Sequence, residues 1–393
     1  MAYHSRTAAH AHTILRQRQR DAGVIAVRPA GSRRDFGRFI DYAYTRNRRD
    51  PHWIPPLRLA ERERLQPHKN PFFAHADHQL LLAWRGDAIV GRIAAFDDRL
   101  HNAVHADNIA SFGFFEADSA DAARALLDAV EAWARDRHRT HVRGPLNPSM
   151  NESVGLLVDG FETDAMLMMP HNPPQYAAFI EAAGYAKVKD LYAWICDTGR
   201  PPGAAIEKIA ARFKARERVV IRTLEAREFD RDVSRLRLLY CGAWEHNWGF
   251  VPPTEAEFRR IASELKLILD SRIAIRAEVD SAMVGCAVAL PDINQVLKGT
   301  GGRLFPLGLI RLLRRRRLID QIRVLLVGLL PAYRTRGLYA LLWHELQQRA
   351  EAAGYRRAEL SWVLEDNRNI NGPVERAGAR HYKTYRIYQK TIA

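Results

Sequence analysis

Residues Arg323 to Leu342 read RVLLVGLLPAYRTRGLYALL, and the rest of the chain is best understood outward from them. A run of β-formers from Val324 to Leu330 stops at Pro331. A short basic turn follows, Tyr333-Arg334-Thr335-Arg336-Gly337, and a periodic apolar helix opens at Leu338. The amides of a first helical turn have no intrahelical partner, and the helix dipole favours an anion beside them. A strand that empties through a basic, glycine-containing turn into such a terminus is therefore a phosphate cradle. Arg334 and Arg336 add full charges to it.

The same pattern of elements occurs twice. Expected strands are Val24–Arg28, Gln79–Trp84, Ile89–Phe96, Asn108–Phe115, Thr140–Arg143 and Tyr185–Ile195, with helices at Asp35–Asn47, Leu57–Leu65, Ser119–Arg137 and Gln175–Ala183. Gly199-Arg200-Pro201-Pro202-Gly203 reads as a linker, after which the order restarts. Strands are expected at Arg218–Leu224, Ile273–Val279, Met283–Leu290, Val324–Leu330, Ala358–Leu364 and His381–Lys390. Helices are expected at Asp230–Trp244, Thr254–Leu269, Leu338–Ala353 and Ile370–Ala377, with Thr254 and Glu257 forming a capping box. Both halves follow β-α-α-β-β-β-α-β-α-β without visible sequence identity. The expected class is α/β with a mixed sheet, and the expected domains are 24–198 and 205–393 joined by 199–204.

At 393 residues the chain exceeds one ordinary core. Its formal net charge of +15 asks for a polyanionic partner, such as a nucleic acid, an anionic membrane or a phosphorylated cofactor. The 60 basic side chains include only nine lysines, a bias that a GC-rich genome also produces. Cys196, Cys241 and Cys286 are far apart and lack zinc-binding spacing, so no metal is expected and a reducing cytoplasm fits. The longest apolar run is far short of the ~20 residues of a spanning helix. Residues 1–23 are Arg- and His-rich and read as a disordered basic arm, although a mitochondrial-type presequence shares that composition.

This element order, with a basic glycine turn after the fourth strand of the second half, resembles the GNAT superfamily of acyl-CoA-dependent N-acyltransferases. The family signature, Gln/Arg-x-x-Gly-x-Gly/Ala, is matched by Arg334-Thr335-Arg336-Gly337-Leu338-Tyr339, with Tyr339 at the last small position. The family's downstream Asn, Tyr and Gly register falls on Asn367, Val374 and Gly378, so the tyrosine that commonly protonates the leaving thiolate is a valine here. In the first half the matching turn, Phe115-Glu116-Ala117-Asp118-Ser119, is acidic and should repel a pyrophosphate. Phrases such as Arg143–Gly160, Met169–Pro174, Tyr240–Pro253 and Pro291–Lys298 resemble the bacterial ceramide synthase group of tandem GNAT proteins.

The resemblance implies acyl-CoA as co-substrate, with its pyrophosphate on Arg334, Thr335, Arg336, Gly337, Leu338 and Tyr339, and Asn367 nearby. It also implies that Leu326, Val327 and Leu329 present backbone amides to the acyl-pantetheine arm. The reaction needs a base for the acceptor ammonium, and Glu152, Glu245, His246 and Asp292 are the candidates. Tyr339 is the candidate replacement for the missing acid, or else a ring packed on CoA.

One segment is surplus to the pattern. Between Asp292 and Asp320 there is no acid, while Lys298, Arg303, Arg311 and Arg314 to Arg317 interleave with Leu304, Phe305, Leu309, Ile310, Leu313 and Leu318. Such a segment suits an anionic membrane surface, with contact expected through Arg303–Ile319. Nucleic-acid binding is the second reading, and a packed helix with a solvated basic edge is the third. The expected activity is transfer of a long-chain acyl group to a sphingoid-base-like amine, in the cytoplasm or peripherally on the inner membrane face. The alternatives are N-acetylation of a small amine or protein, and a non-catalytic membrane- or nucleic-acid-binding protein on a degenerate GNAT fold.

Overall fold

In the computed structural model the described residues are 23–200, 203–334 and 337–392, without the side chains of residues 205, 226, 229, 230, 307 and 316. The basic arm read over 1–23 lies outside them but for Gly23, as do Pro201 and Pro202 of the linker. The strands of the first half are β1 Ile25–Pro29, β2 Ala76–Arg85, β3 Ala88–Asp98, β4 Ile109–Ala117, β5 His141–Gly144, β6 Leu146–Asn147, β7 Ser153–Val154, β8 Leu156–Asp159 and β9 Ala186–Asp197. Those of the second half are β10 Val220–Thr223, β11 Ala274–Val279, β12 Ala282–Pro291, β13 Gln321–Leu329, β14 Arg357–Leu364 and β15 Arg380–Thr391.

All but β6 and β7 join one sheet, in the order β1-β2-β3-β4-β5-β15-β9-β14-β13-β12-β11-β10, with β8 on β15. The sequence pattern placed every long strand of this sheet but could not show which strands pair across the middle. The last strand of the first half, β9, lies against β14 of the second half, with Leu360 opposite Trp194. The last strand of the second half, β15, lies against β5 of the first, with Tyr388 opposite Gly144. Each half thus ends in a strand that completes the other, and β9 and β15 pair antiparallel between them. The division at 199–204 falls after β9, inside this continuous sheet.

Helices form where the periodicity and caps predict them. The α1 helix, Ala120–Arg135, starts at Ser119, whose hydroxyl accepts from Ala122 N at 3.3 Å. Its apolar face (Ala122, Leu126, Val130) is fully buried on the sheet. An unanticipated helix, α2 (Ala204–Glu217), follows the linker, and its inward residue Phe213 is buried. The α3 helix, Phe229–Trp244, covers the opposite face of the second half. The α4 helix, Glu255–Lys266, has the expected reciprocal box: Thr254 N donates to Glu257 Oε2 at 2.8 Å and Glu257 N to Thr254 Oγ1 at 3.3 Å. The surplus segment holds a short helix, α5 (Leu307–Leu313). The α6 helix, Leu338–Ala352, buries Leu338, Leu341, Leu342 and Leu346 against the face that α2 also covers. Arg368–Arg376 forms α7. Among the described residues no helix is long and apolar enough to cross a membrane.

Candidate active site

Two parallel strand pairs, one in each half, diverge along their length. In the second half β13 and β14 are in register from Gln321↔Arg357 to Val324↔Leu360 and then part. β14 stays with β9 at Val363↔Tyr192, while β13 stays with β12. A bulge at Leu325, between the Val288↔Leu326 and Ala289↔Val324 pairs, turns β13 away. Beyond Val324, among the described residues, no strand pairs with this edge of β13. The edge carries Leu326, Val327 and Leu329, all half-buried. A polar backbone edge without a strand partner, in a wedge between two buried strands, is a ready site for an extended amide-containing arm. On one face Gly328 lies under α3, where an added Cβ would come within 2.9 Å of the Trp244 ring.

In the first half the equivalent wedge is filled. β4 and β5 pair only over Ile109↔His141 to Ser111↔Arg143. The next residues of β4 are then occupied by the chain leaving β5: Phe114 N donates to Asn147 Oδ1 at 2.6 Å. A Cβ on Gly113 would fall 1.8 Å from the Leu146 carbonyl oxygen. The acidic turn at its end is also tied down. Glu116 accepts from Asn47 Nδ2 and from the Tyr176 hydroxyl, both at 2.9 Å, and Asp118 accepts from the Tyr42 hydroxyl at 2.8 Å. Burial pushes the Glu116 carboxyl above its usual range.

Beyond β13, residues Pro331–Tyr333 make one 3₁₀ turn and α6 begins after Gly337. Gly337 has φ +104°, and a Cβ there would meet Ile209 of α2 at 2.9 Å, so glycine is required on both counts. Arg334 donates to the carbonyls of Gly242 and Ala243 at 3.0 and 3.1 Å, closing the C-terminus of α3. Thr335 and Arg336 lie outside the described residues. Leu338 is fully buried, and Tyr339 is half-buried with its hydroxyl pKa raised by that burial. Asn367 stands at the start of α7, its amide donating to Leu364 O at 3.0 Å. Val374 is 2% exposed within the core, so this position offers no proton donor.

Where β13 and β14 part, the face turned away from α6 carries a buried polar cluster that the sequence reading missed except for Asp292. Arg323 and Glu359 are opposite one another, 1% and 0% exposed, with Arg323 Nε 3.5 Å from Glu359 Oε1. Ser361 donates to Glu359 Oε1 at 2.6 Å and accepts from Arg323 Nε at 3.0 Å. The Tyr382 hydroxyl, reaching across from β15, donates to Glu359 Oε2. Arg323 also donates to the Leu167 carbonyl at 2.8 Å, and its guanidinium lies 4.6 Å from the Trp362 ring centroid. Asp292, at the end of β12, accepts from Leu167 N at 2.9 Å. Burial pushes its carboxyl up to about 7, with the Glu359 charge adding to the shift. Lys383 donates to the carbonyls of Gly160 and, at 2.9 Å, Thr163, and burial lowers it to about 8. Residues 160–169 of the first half thereby form a roof over the second half's cluster. The hint in sequence was the strand RAELSWVL, where Glu359 and Ser361 alternate with core residues in a central strand.

The other expected bases lie elsewhere. Glu152 is buried between Arg64 Nε at 3.1 Å and Arg260 Nη2 at 2.8 Å, a pairing that engages both its oxygens. Glu245 and His246 are exposed just after α3. The structure brings none of these three into the cluster around Arg323.

The surplus segment is fastened to the roof. Lys298 Nζ lies 2.6 Å from Asp164 Oδ2, and Asn294 Nδ2 donates to the Ala165 carbonyl at 2.9 Å. Gly302 sits against Pro56 and Tyr44 of the first half, with Arg58 N donating to its carbonyl at 3.0 Å. Farther out, Phe305 and Leu313 are each 77% exposed, Ile310 50% and Leu318 48%. Arg303, Arg311, Arg314 and Arg317 are exposed among them.

No family model matches the chain. A protein of Caulobacter vibrioides (strain NA1000 / CB15N) named bacterial ceramide synthase is 38% identical over 377 residues, covering 94% of this chain and 98% of that one. The chain belongs to the tandem GNAT family that contains this bacterial ceramide synthase. Protein YghO of Escherichia coli (strain K12) is 36% identical over 374 residues, covering 93% and 95%. Among solved structures, a tandem GNAT protein from the clavulanic acid biosynthesis pathway superposes with a TM-score of 0.55 at 13% identity, covering 94% of this chain and 99% of that one. Membership in this family makes the chain an N-acyltransferase of two GNAT-like halves. It sets aside the non-catalytic alternative.

Proposed function

We propose that this tandem GNAT enzyme transfers a long-chain acyl group from acyl-CoA to the primary amine of a sphingoid-base-like lipid taken from a membrane surface. The observation that carries the lipid reading is the segment at 303–318, apolar, basic and exposed, fastened to the roof of the polar cluster through Lys298–Asp164 and Asn294–Ala165. A polar-substrate acetyltransferase has no use for Phe305 and Leu313 held in solvent at 77% exposure. In this reading the CoA pyrophosphate rests on the amides around Gly337 and Leu338, with Arg334 and Arg336 supplying charge and Thr335 a hydroxyl. The acyl-pantetheine arm lies along the edge of β13 at Leu326–Leu329. The first half, its wedge filled by Leu146 and Asn147, shapes the acceptor site and binds no CoA. Of the expected bases, Asp292 alone lies beside the polar cluster of Arg323 and Glu359, and Tyr339 packs rather than reacts.

The test is product analysis by mass spectrometry with palmitoyl-CoA or acetyl-CoA as donor and sphinganine, octadecylamine or spermidine as acceptor. N-acylation of sphinganine by palmitoyl-CoA is expected. Turnover of acetyl-CoA on spermidine or a protein amine, with none on sphinganine, would establish the small-amine alternative instead.

A further inference from the structure

Glu359 is fully buried, and so are two of the groups that contact it, Arg323 at 1% and Ser361 at 8% exposure. The third, Tyr382, is half-buried and lies at the margin of the apolar cluster formed by the roof, Trp248 and Trp362. Among the described residues Tyr382 is therefore the least buried of the groups that contact Glu359. The position is also the right one. Glu359 faces Arg323 one residue before β13 and β14 part, so the cluster stands at the apex of the wedge whose edge would hold the thioester. A buried Arg–Glu pair with a serine and a tyrosine costs desolvation that apolar residues would avoid. Such a cluster at the apex of a substrate wedge is better accounted for by chemistry than by stability.

We propose that Tyr382 is the catalytic residue that takes the proton from the acceptor ammonium, with Glu359 as its proton sink and Arg323 and Ser361 as positioning residues. The inference rests on the placement of the acyl thioester along β13. The Tyr382 oxygen keeps lone pairs free while its proton is donated to Glu359 Oε2. An incoming R–NH₃⁺ gives one proton to the Tyr382 oxygen as the Tyr382 proton moves to Glu359. The freed nitrogen pair forms the N–C bond, and the carbonyl π pair moves to oxygen. The tetrahedral species collapses with loss of the C–S bond, whose electron pair leaves on sulfur. The second nitrogen proton ends on that thiolate. Protonated Glu359 then returns its proton to solvent through Tyr382, so the net products are amide, CoA thiol and one proton.

The experiment compares wild type with Tyr382→Phe and Glu359→Gln, using whichever of sphinganine, octadecylamine or spermidine the wild type acylates fastest. A failure of the lipid reading thus appears in the wild-type acceptor choice, and a failure of the relay appears in the variants. Tyr382→Phe is expected to lower kcat about 10²- to 10³-fold, the usual worth of a positioned base. Its affinity for acyl-CoA by calorimetry should be close to wild type, and its melting temperature should fall only modestly, since Glu359 keeps Ser361 and Arg323 as partners. The remaining rate should climb about tenfold per pH unit up to the amine pKa, because only amine already deprotonated in solution reacts. Glu359→Asp should recover part of the activity lost in Glu359→Gln. If Tyr382→Phe fails to fold, a fluorinated tyrosine at 382, which keeps the hydroxyl but makes it more acidic, should move the acid limb of the pH profile. A Tyr382→Phe enzyme within about threefold of wild type with an unchanged pH profile would overturn the relay, as would an unmoved acid limb in the fluorinated enzyme.

Discussion

If the 303–318 segment rests on a membrane, the energy of contact follows from what it exposes. Fully burying a Phe or Leu side chain contributes about 1.5–3 kcal/mol, or roughly 2 in the middle of that range. Phe305 and Leu313 are each 77% exposed in solution, so about three-quarters of that remains to be gained by each, roughly 1.5 kcal/mol apiece. Phe305→Ser with Leu313→Ser should therefore cost about 3 kcal/mol of binding at full immersion and half that at partial immersion. That is a ~10- to 150-fold fall in partitioning. Each arginine near an anionic leaflet adds about 1 kcal/mol, screened beyond a Debye length of ~8 Å at physiological salt. Neutralising Arg314, Arg315 and Arg317 should then cost up to about 3 kcal/mol on anionic vesicles and little on neutral ones. Vesicle sedimentation with and without phosphatidylglycerol separates the two contributions. The apolar variant should lose binding on both compositions, the basic variant on the anionic one alone. Because Phe305, Leu313, Arg314 and Arg317 are exposed and Arg315 is only half-buried, melting temperatures should hardly change. Sedimentation of both variants within about twofold of wild type would refute the reasoning.

Other predictions address the donor site and the contact between the halves. Gly337→Val, at φ +104° and with Ile209 2.9 Å from the first added carbon, should cost about 1–2 kcal/mol in a thermal melt and raise the KM for acyl-CoA more than it lowers kcat. Gly113→Ala should be destabilising by ~1–3 kcal/mol, since its Cβ would strike the Leu146 carbonyl, yet leave the KM for acyl-CoA unchanged if the first half binds none. His75 bridges the halves, with Nδ1 2.9 Å from Asp98 and Nε2 3.3 Å from Glu257. Burial alone would lower its pKa, but the two carboxylates raise it to about 9. A raised histidine contributes stability that is complete below the unfolded value near 6.5 and lost as pH rises through about 9. Wild type should therefore lose stability relative to His75→Gln between pH ~6.5 and ~9 in chemical denaturation, and parallel curves would discount the bridge.

The order of elements was legible because strand and helix periods, caps and turns are local properties. Thr254 and Glu257 announce the start of α4, and the expected strands Ile273–Val279 and Met283–Leu290 leave room only for a tight turn, where Asp280 and Ser281 adopt positive φ. Pairing between distant strands is not local. Nothing in the alternation of β9 or β15 says whose edge each will meet, because apolar residues on either face satisfy both partners. The α2 helix was hidden for a different reason: the Pro- and Gly-rich linker before it masks the start of the Ile206, Ile209, Phe213 spacing. The phosphate turn could be read since its residues are contiguous. The polar cluster draws Arg323, Glu359 and Tyr382 from three strands, and each by itself looks like an ordinary polar residue in a half-exposed strand; Asp292, just past a fourth, was the one member that its position at a strand end marked out. Only the sheet order shows that they share a buried face.

The crossing of β9 and β15 has a consequence for how such a chain could arise and be dismantled. Two separate copies of a one-domain ancestor that traded their final strands would already have this sheet, and joining the first copy's end to the second's beginning would convert the pair into one chain. The two end strands then act as mutual fasteners. Cleavage in the 199–204 connection would leave fragments that β9·β14 and β15·β5 pairing still holds together, so a nicked enzyme should elute as one species and retain turnover. Expressed alone, either half would lack the strand that closes its central edge and would expose that edge to other chains.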